Sequence, residues 1–482
     1  MSISSALNNA VAGLTATSRM AEAVSSNLSN ALTEGYGKRS VELSSVQVGN
    51  VGGGVKVTGI VRFTDAGILN DRRLADAALT SQQETVSTLN RLEQNLGGPN
   101  ASANLVAKLA AFETALISAT ADPASETRLA SVVSRLGDIT ATLQSNTRDI
   151  QSHRQEADAE IANSVEQLNT SLKQVERLNA DIVRMRSAGQ DVSALLDARQ
   201  VAVDEIAKIV PIRQVDHDNG TVGLTTTSGT TLLGSRAVEF GFEATPTITA
   251  DMTLASGALG GIRLDGVPLD ATTGGGRLSG GALGAAFTLR DETLVGLQQS
   301  LDEVAVDLIA RFEDPATDPT LNAGDLGLLT DEGNPLDLSD VAGLAGRIAV
   351  NSAVDPNSGG ELRLLRDGLN AATAGPSGNA AQLNNWLDAL GVARADAAGV
   401  STRSAAGRVS DFTAKIGTAR LTAEEQLSFT AARWDTIKSA ELANGVDTDI
   451  ELQTLMRIEQ AYAANAKVLE AADFMMQRLM EI

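Results

Sequence analysis

A chain of 482 residues with no cysteine, two histidines and a formal net charge of −22 has room for about two to four domains and a substantial core. Without cysteine it makes no disulfide, thiolate nucleophile or Cys-based metal site, and its acidity argues against a phosphate backbone or an anionic membrane surface as main partner. Aromatic residues are only 3% of the chain, so its core is built from Ala, Leu, Val and Ile, which suits packed helices better than an aromatic-lined pocket.

The first segment, "MSISSALNNAVAGLTATSRM", lacks the basic n-region and continuous apolar core of a cleaved secretion signal. No apolar run approaches the ~20 residues that cross a bilayer. If the chain is exported, these features predict a route other than the common signal peptide. Ile3, Leu7, Val11, Leu14, Ala21, Val24, Leu28 and Leu32 step by threes and fours along one helix face. Ser, Asn and Thr fill the other positions, so surface ion pairs lend little support, and such a helix needs a packing partner. It ends in "SNLSNALTEGYGKRS" (26–40), a polar helix exit with Asn27, Asn30, Gly35 and Tyr36 close together.

Residues 41 to 63 alternate Val and Ile with polar residues and predict a short β hairpin or extended arm, broken at Gly52-Gly53-Gly54. From Asp65 to about Thr120 the pattern is helical, interrupted at "GGPNAS" (97–102). Leu129 to Met185 carries a long three–four stepping of apolar residues, with Asp122-Pro123 as the expected N-cap and first helical position. This predicts a rod-like helix of ~85 Å packed in coiled-coil fashion. His153 falls on or near its stripe and reads as a structural residue. A shorter helix over 191–210 stops at Pro211.

Residues 213 to 281 hold fourteen Gly and twelve Thr among short apolar runs, which predicts a small β domain, with a type I′ hairpin at Asn219-Gly220. Helix returns over 291–312. Residues 313 to about 345 read as Asp-, Pro- and Gly-rich loop, and 346 to 410 as mixed. Helix is expected again from Leu421 to Ile482, with one break at "NGVD" (444–447). There Leu452, Leu455, Ile458, Tyr462, Ala466, Leu469, Met476 and Leu479 form a second terminal stripe.

Active-site imitations fail on their details. The "GGGRLSGGALG" stretch (274–284) lacks the Gly-Lys-Ser/Thr ending of a phosphate loop. Asp216-His217-Asp218 sits before a turn, and the Asp-rich 313–340 region lacks the order of an EF-hand loop. No G-x-S-x-G elbow is present. The expectation is a non-enzyme with no catalytic, cofactor or metal residues.

The two ends together carry a family resemblance. "NLSNALTEGYGKR" (27–39) resembles the N-terminal signature of bacterial flagellar rod, hook and hook-associated proteins, roughly Asn-x-x-Asn-x-x-Thr-x-Gly-Tyr. Asn27, Asn30, Thr33, Gly35 and Tyr36 match; Glu34 replaces the usual Pro, and Leu32 a frequent Asn. Residues 449–482, above all "EQAYAANAKVLEAADFMMQRLM" (459–480), resemble the matching C-terminal signature. "LLDARQVAVDEIAKIVPIRQV" (195–215) and residues 275–312 are similar to the hook-associated family of the hook–filament junction, with Gln200 where that family has Asp. Residues 313–420 match weakly.

The resemblance implies a mainly α, elongated fold whose terminal helices pair in coiled-coil fashion. The domains expected are a terminal assembly domain (1–60 with 420–482), a long helical bundle (61–210 with 282–419) and a β-rich outer insert (213–281). It implies a structural subunit that is monomeric before assembly and joins its own copies helically between hook and filament. Hook protein and a second junction protein would be its neighbours, with a cytoplasmic chaperone beforehand. Export would run through the flagellar type III apparatus to the cell exterior without signal cleavage; neither nucleic acid nor membrane is a partner. Assembly residues would be Leu7, Val11, Leu14, Asn27, Leu28, Asn30, Gly35 and Tyr36 at the N-terminus. Leu455, Ile458, Tyr462, Leu469, Met476 and Leu479 would serve assembly or chaperone binding at the C-terminus. Another axial subunit (hook, rod or flagellin-like) and a coiled-coil surface adhesin or enzyme are the alternatives.

Overall fold

The computed structural model of the chain describes residues 3–48, 51–97, 104–269, 276–395, 399 and 401–480. One helix organises it. α4 (Glu126–Ser187) runs for 62 residues, about 93 Å at 1.5 Å per residue. Its stripe from Leu129 through Leu136, Leu143, Ile150, Ile161, Leu168 and Val175 to Ile182 is buried almost throughout. The helix starts later than Asp122-Pro123 suggests. Asp122 instead ends α3 (Leu105–Ala121), and Ser125 is the N-cap, accepting from Arg128 N at 3.4 Å. At the far end Gly189 takes a left-handed φ of 69°, and Gln190 N donates to Met185 O, the reversal that closes many helices.

Two apolar clusters lie along the rod. Around its first half gather α2 (Ala66–Asn95), α3, α7 (Leu294–Phe312), α10 (Ala381–Gly391) and the start of α11 (Ala405–Ala443). Phe312 meets Phe112 and Trp386 edge-on, with centroids 6.2 and 5.7 Å apart, and Trp386 Nε1 donates to Leu365 O. Around its second half gather α5 (Ser193–Ile209), α6 (Gly281–Thr288) and strands β3 (Ile212–Asp216), β4 (Val222–Thr226) and β5 (Thr231–Leu233). A further small sheet joins β6 (Phe240–Gly241), β7 (Arg263–Leu264) and β8 (Val267–Pro268), and the chain between β6 and β7 is irregular.

Several local expectations are corrected. β1 (Lys38–Val48) and β2 (Val51–Phe63) form one long hairpin whose strand continues past Gly52-Gly53-Gly54, but the ladder shifts register there, Ser45 pairing with Val55 and Gln47 with Gly52; its tip, 49–50, lies outside the described residues. Gly54, at φ 90°, serves close packing, since a Cβ there would meet Ala12 Cβ at 3.2 Å. The Asn219-Gly220 hairpin is not type I′. Of the two, Gly220 alone has a positive φ, which type I′ requires at both positions, and Asn219 Oδ1 accepts from Thr221 N and Oγ1 in an Asx turn. The helix expected from 291 begins at Gly281, although glycines are poor helix formers, because α6 packs against the end of α5. It continues into α7 through a π turn at Leu289–Thr293. The last helical stretch begins at Ala405, not Leu421, capped by Ser404, because its first turns lie in the core with Val409, Phe412 and Ile416. Of "GGPNAS", residues 98–102 lie outside the described residues.

Two buried arginines pin the irregular insert to the rod. Arg154 Nη1 and Nη2 donate to Thr249 O and Met252 O, and its Nε to Arg290 O in the π turn. Arg290 pairs with Asp158 at 2.5 Å and grips Asp291 through two nitrogens. Removing one partner of a buried pair leaves the other charged and unsolvated. Arg290→Met is therefore expected to lower the unfolding free energy by about 3–5 kcal/mol in a urea titration and to open residues 245–262 to protease. Unchanged stability would show that the pair contributes nothing.

Candidate assembly site at the paired termini

The chain ends lie side by side. α1 (Ile3–Ser29) packs antiparallel on α12 (Thr448–Met480), Asn27 lying beside Glu451 and Gly13 beside Asn465. α1 also packs on the β1–β2 hairpin, and its buried residues are mostly small: Ala10, Ala16, Thr17 and Ala23, with Val24 and Asn27. From α12, Glu451, Ile458 and Ala472 are buried in the same sevenfold phase as Asn465. A Cβ on Gly13 would come within 2.7 Å of Asn465 Nδ2, so the glycine allows this approach.

The larger apolar residues of α1 do not enter the seam. Leu7, Val11 and Leu14 lie roughly 110–170° round the helix from its middle, and Leu28, in phase with Ala10, about 70°. Leu7 and Leu14 are half-buried, Val11 and Leu28 are exposed, and Leu32 beyond the helix is 97% exposed. On α12, Leu455 and Leu469 are half-buried at the seam edge and Ile458 is inside. Tyr462, Met476 and Leu479 are exposed. The α1 side of the interior is mostly small, Ile458 fills it from α12, and Leu479, though in phase with Ala472, is exposed near the end of α12.

At the base of the pair the helix exit is tied to α12 and to α5. Asn27 is fully used: Nδ2 donates to Arg39 O and Glu451 Oε2, and Oδ1 accepts from Arg39 N and the Tyr36 hydroxyl, all within 2.8–3.1 Å. Glu451, buried, also pairs with Lys38 at 2.9 Å. Asn30 Nδ2 donates to Ser26 O, satisfying one of the last carbonyls of α1. Gly35 turns the chain at φ 76°, where a Cβ would sit 2.4 Å from Val201 Cγ2 on α5. Beside it Asp197 accepts from Gly37 N, Arg39 Nη2 and Arg62 Nε at 3.0, 2.8 and 2.6 Å. Arg62 Nη2 reaches Gly35 O and Gln200 Oε1. Arg199 donates to Asn179 Oδ1 and Gly220 O. Burial pulls its guanidinium down to about 10, opposed by Asp216 and aided by Arg62, Arg73 and Arg186, so it stays charged at neutral pH.

A second ionic joint holds the C-terminal part of α11. Arg72 pairs with Asp76, Asp204 and Glu441 at 2.6, 2.5 and 3.0 Å, Arg73 pairs with Asp204, and Trp434 Nε1 donates to Asp76. Burial pushes the Asp76 carboxyl up, against the pull of Arg72 and Trp434.

Sequence reasoning picked out Asn27, Asn30, Gly35 and Tyr36, and the structure brings them together. It missed Lys38, Arg39, Arg62, Asp197 and Glu451 as their partners. Asp197 and Gln200 sit in the quoted "LLDARQ" stretch, and Glu451 lies seven residues before Ile458, a buried phase that its charge concealed.

The other candidates have ordinary surroundings. Of "GGGRLSGGALG", residues 274–275 lie outside the described residues; Gly281 abuts Ile209, whose carbonyl would be 2.3 Å from a Cβ. Asp216 accepts from Gln214, and His217 closes the neighbouring turn. An open cleft of about 1130 Å³ beside Phe242, Leu254 and Ile262, with Asp291 and Glu292 among its lining, brings in no histidine among the described residues. Among the described residues no cluster of three or more His, Asp or Glu could hold a metal, and no helix is long and apolar enough to cross a membrane.

Residues 89–327 match the family model described as the flagellar hook-associated protein FlgK helical domain. Residues 442–482 match that of the flagellar basal body rod FlgEFG protein C-terminal region. Flagellar hook-associated protein 1 of Salmonella typhimurium is 30% identical over 321 residues, covering 63% of this chain and 55% of that protein. Its counterpart in Escherichia coli is 27% identical over 326 residues, 64% and 56%. The chain spans about half the length of the curated relatives it matches. The flagellar hook junction protein FlgK from Burkholderia pseudomallei superposes with a TM-score of 0.45 at 20% identity, over 54% of this chain and 46% of that one.

Because Asn27 satisfies groups from both chain ends, Asn27→Leu should strand Arg39, Tyr36 and Glu451 and cost about 2–4 kcal/mol. Trypsin should then cut at Arg19 and Arg457 well before it cuts α4. Leu28→Asn, on the outward face, is the control expected to leave the digestion pattern unchanged. Equal patterns for the two variants would show that Asn27 does not tie the ends together.

Proposed function

We propose that this chain, a relative of flagellar hook-associated protein 1, is a structural subunit that assembles with its own copies in the flagellar axis, joining hook to filament. The observation that carries the reading is the build of the terminal pair. Its α1 side is buried mostly through Ala and Thr, while Leu7 and Leu14 stay half-buried and Val11 and Leu28 of α1 and Tyr462, Met476 and Leu479 of α12 stay exposed. Apolar residues at this spacing on two adjoining helices gain burial when neighbouring copies pack on them. The match of residues 442–482 to a rod-protein C-terminal model supports the same role for α12. The neighbours in this reading are hook protein on one side and a second junction protein on the other. A cytoplasmic chaperone would cover the C-terminal helix before type III export. The role is mechanical, without catalysis.

The Asn27 joint fits such a part. Asp197 and the paired arginines fix the angle at which the terminal pair leaves the rod, so copies packed through that pair would hold their rods at a common tilt.

Electron microscopy of a strain lacking the gene tests the reading. Complete hooks without filaments, with flagellin lost to the medium, are expected. Unfinished hooks would move the chain to the hook or rod, and intact filaments would overturn the axial role. Exchanging Leu455, Tyr462 and Leu469 for polar residues should abolish incorporation, and normal junctions from that variant would exclude this face from assembly.

A further inference from the structure

The chain has eight methionines. Met456, Met475, Met476 and Met480 lie on α12 and are 56%, 46%, 41% and 83% exposed, whereas Met20, Met185 and Met252 are half-buried. The last described turns of α12 read Phe474-Met-Met-Gln-Arg-Leu-Met480, and Phe474, Met475, Met476, Leu479 and Met480 are all exposed. At 100° per residue these five spread over about 240° of the helix, leaving a polar strip of Glu470, Asp473 and Gln477. An apolar arc this wide gains from burial, and all five residues are exposed in the single copy. Second copies of this chain are the occupant that this end awaits, and that step rests on the subunit reading above. Thioether side chains suit such a contact, because three rotatable bonds let them fit an irregular neighbour.

The same exposure opens the sulfurs to chemistry. The chain has no cysteine to react first. We propose that Met456, Met475, Met476 and Met480 form a peroxide-reactive modification site whose oxidation closes the assembly surface. In each event a sulfur lone pair attacks one peroxide oxygen. The S–O bond forms as the O–O bond breaks, and the departing oxygen takes up a proton as water or an alcohol. Sulfur loses two electrons and the peroxide gains them. The sulfoxide is polar and strongly hydrogen-bonding, so burying it between copies strands an oxygen that water had satisfied. Reductases that act on methionine sulfoxide reverse the change, which makes the site a switch on chains not yet assembled.

The test treats purified full-length chain with hydrogen peroxide and maps each sulfoxide by peptide mass spectrometry. The four α12 methionines should oxidise about tenfold faster than Met20, Met185 and Met252. Addition of the oxidised chain to hooks that lack it should fall by about tenfold or more, and methionine sulfoxide reductases should restore it. In finished junctions the same four sulfurs should be shielded, reacting about tenfold more slowly than in the free chain. Equal oxidation of all seven, or oxidised chain that adds as well as untreated chain, overturns this inference alone. Untreated chain that fails to add at all overturns the subunit reading and this inference with it.

Discussion

The structure depends on burying one long apolar stripe. α4 carries it for 62 residues, and no helix of that length keeps such a face in water. α2, α3 and α7 pack on one half, with α10 and the first turns of α11 closing the core behind them, and α5, α6 and the β3–β5 sheet cover the other. Short and glycine-rich segments gain their shape from this spine. α6 is helical despite Gly281 and Gly284 because it fits between the rod and the end of α5. The insert between β6 and β7 has little regular structure and is held by Arg154 and Arg290 reaching its carbonyls.

Where the spine meets the chain ends, packing gives way to directed polar contacts. A helix pair whose α1 side buries mostly Ala and Thr gains modest apolar area, and packing on the β1–β2 hairpin and a few polar anchors add to it. Asn27 is the central one. Its amide mimics a backbone strand partner toward Arg39 while reaching Tyr36 and Glu451, which joins residues 424 apart in sequence. Asp197 then ties that corner to α5. Such anchors are directional, so they determine an angle as well as an energy. The large residues left outside by the small seam are the ones that the subunit reading uses between copies, and the methionines among them make the same surface open to oxidation.

Much of this was legible along the chain. The three–four stepping of α4, the alternation of β1 and β2, and the break at 444–447 are local patterns with local causes. The motif at 27–36 was legible as a unit, because two asparagines and Gly-Tyr at fixed spacing serve one helix exit. The partners of that motif were not. Arg62, Asp197 and Glu451 are charged residues in stretches that also read as solvated surface, and only proximity converts them into buried pairs. The face of α1 was misleading for a different reason. Its leucines form the obvious stripe, yet the helix pairs through Ala10, Gly13 and Thr17, since hydrophobicity alone does not say which of two faces meets the partner in the same chain.

The sequence by itself determined the helical class, the rod, the positions of both terminal helices and the family they resemble, because periodicity and short motifs are written in neighbouring residues. Tertiary structure alone decided the starts of α6 and α11, the type of the Asn219-Gly220 turn, the seam of the terminal pair and the joint around Asn27. These depend on contacts between residues tens to hundreds of positions apart. There burial and hydrogen-bond satisfaction outweigh the few tenths of a kcal/mol to about 1 kcal/mol by which local propensity distinguishes ordinary residues.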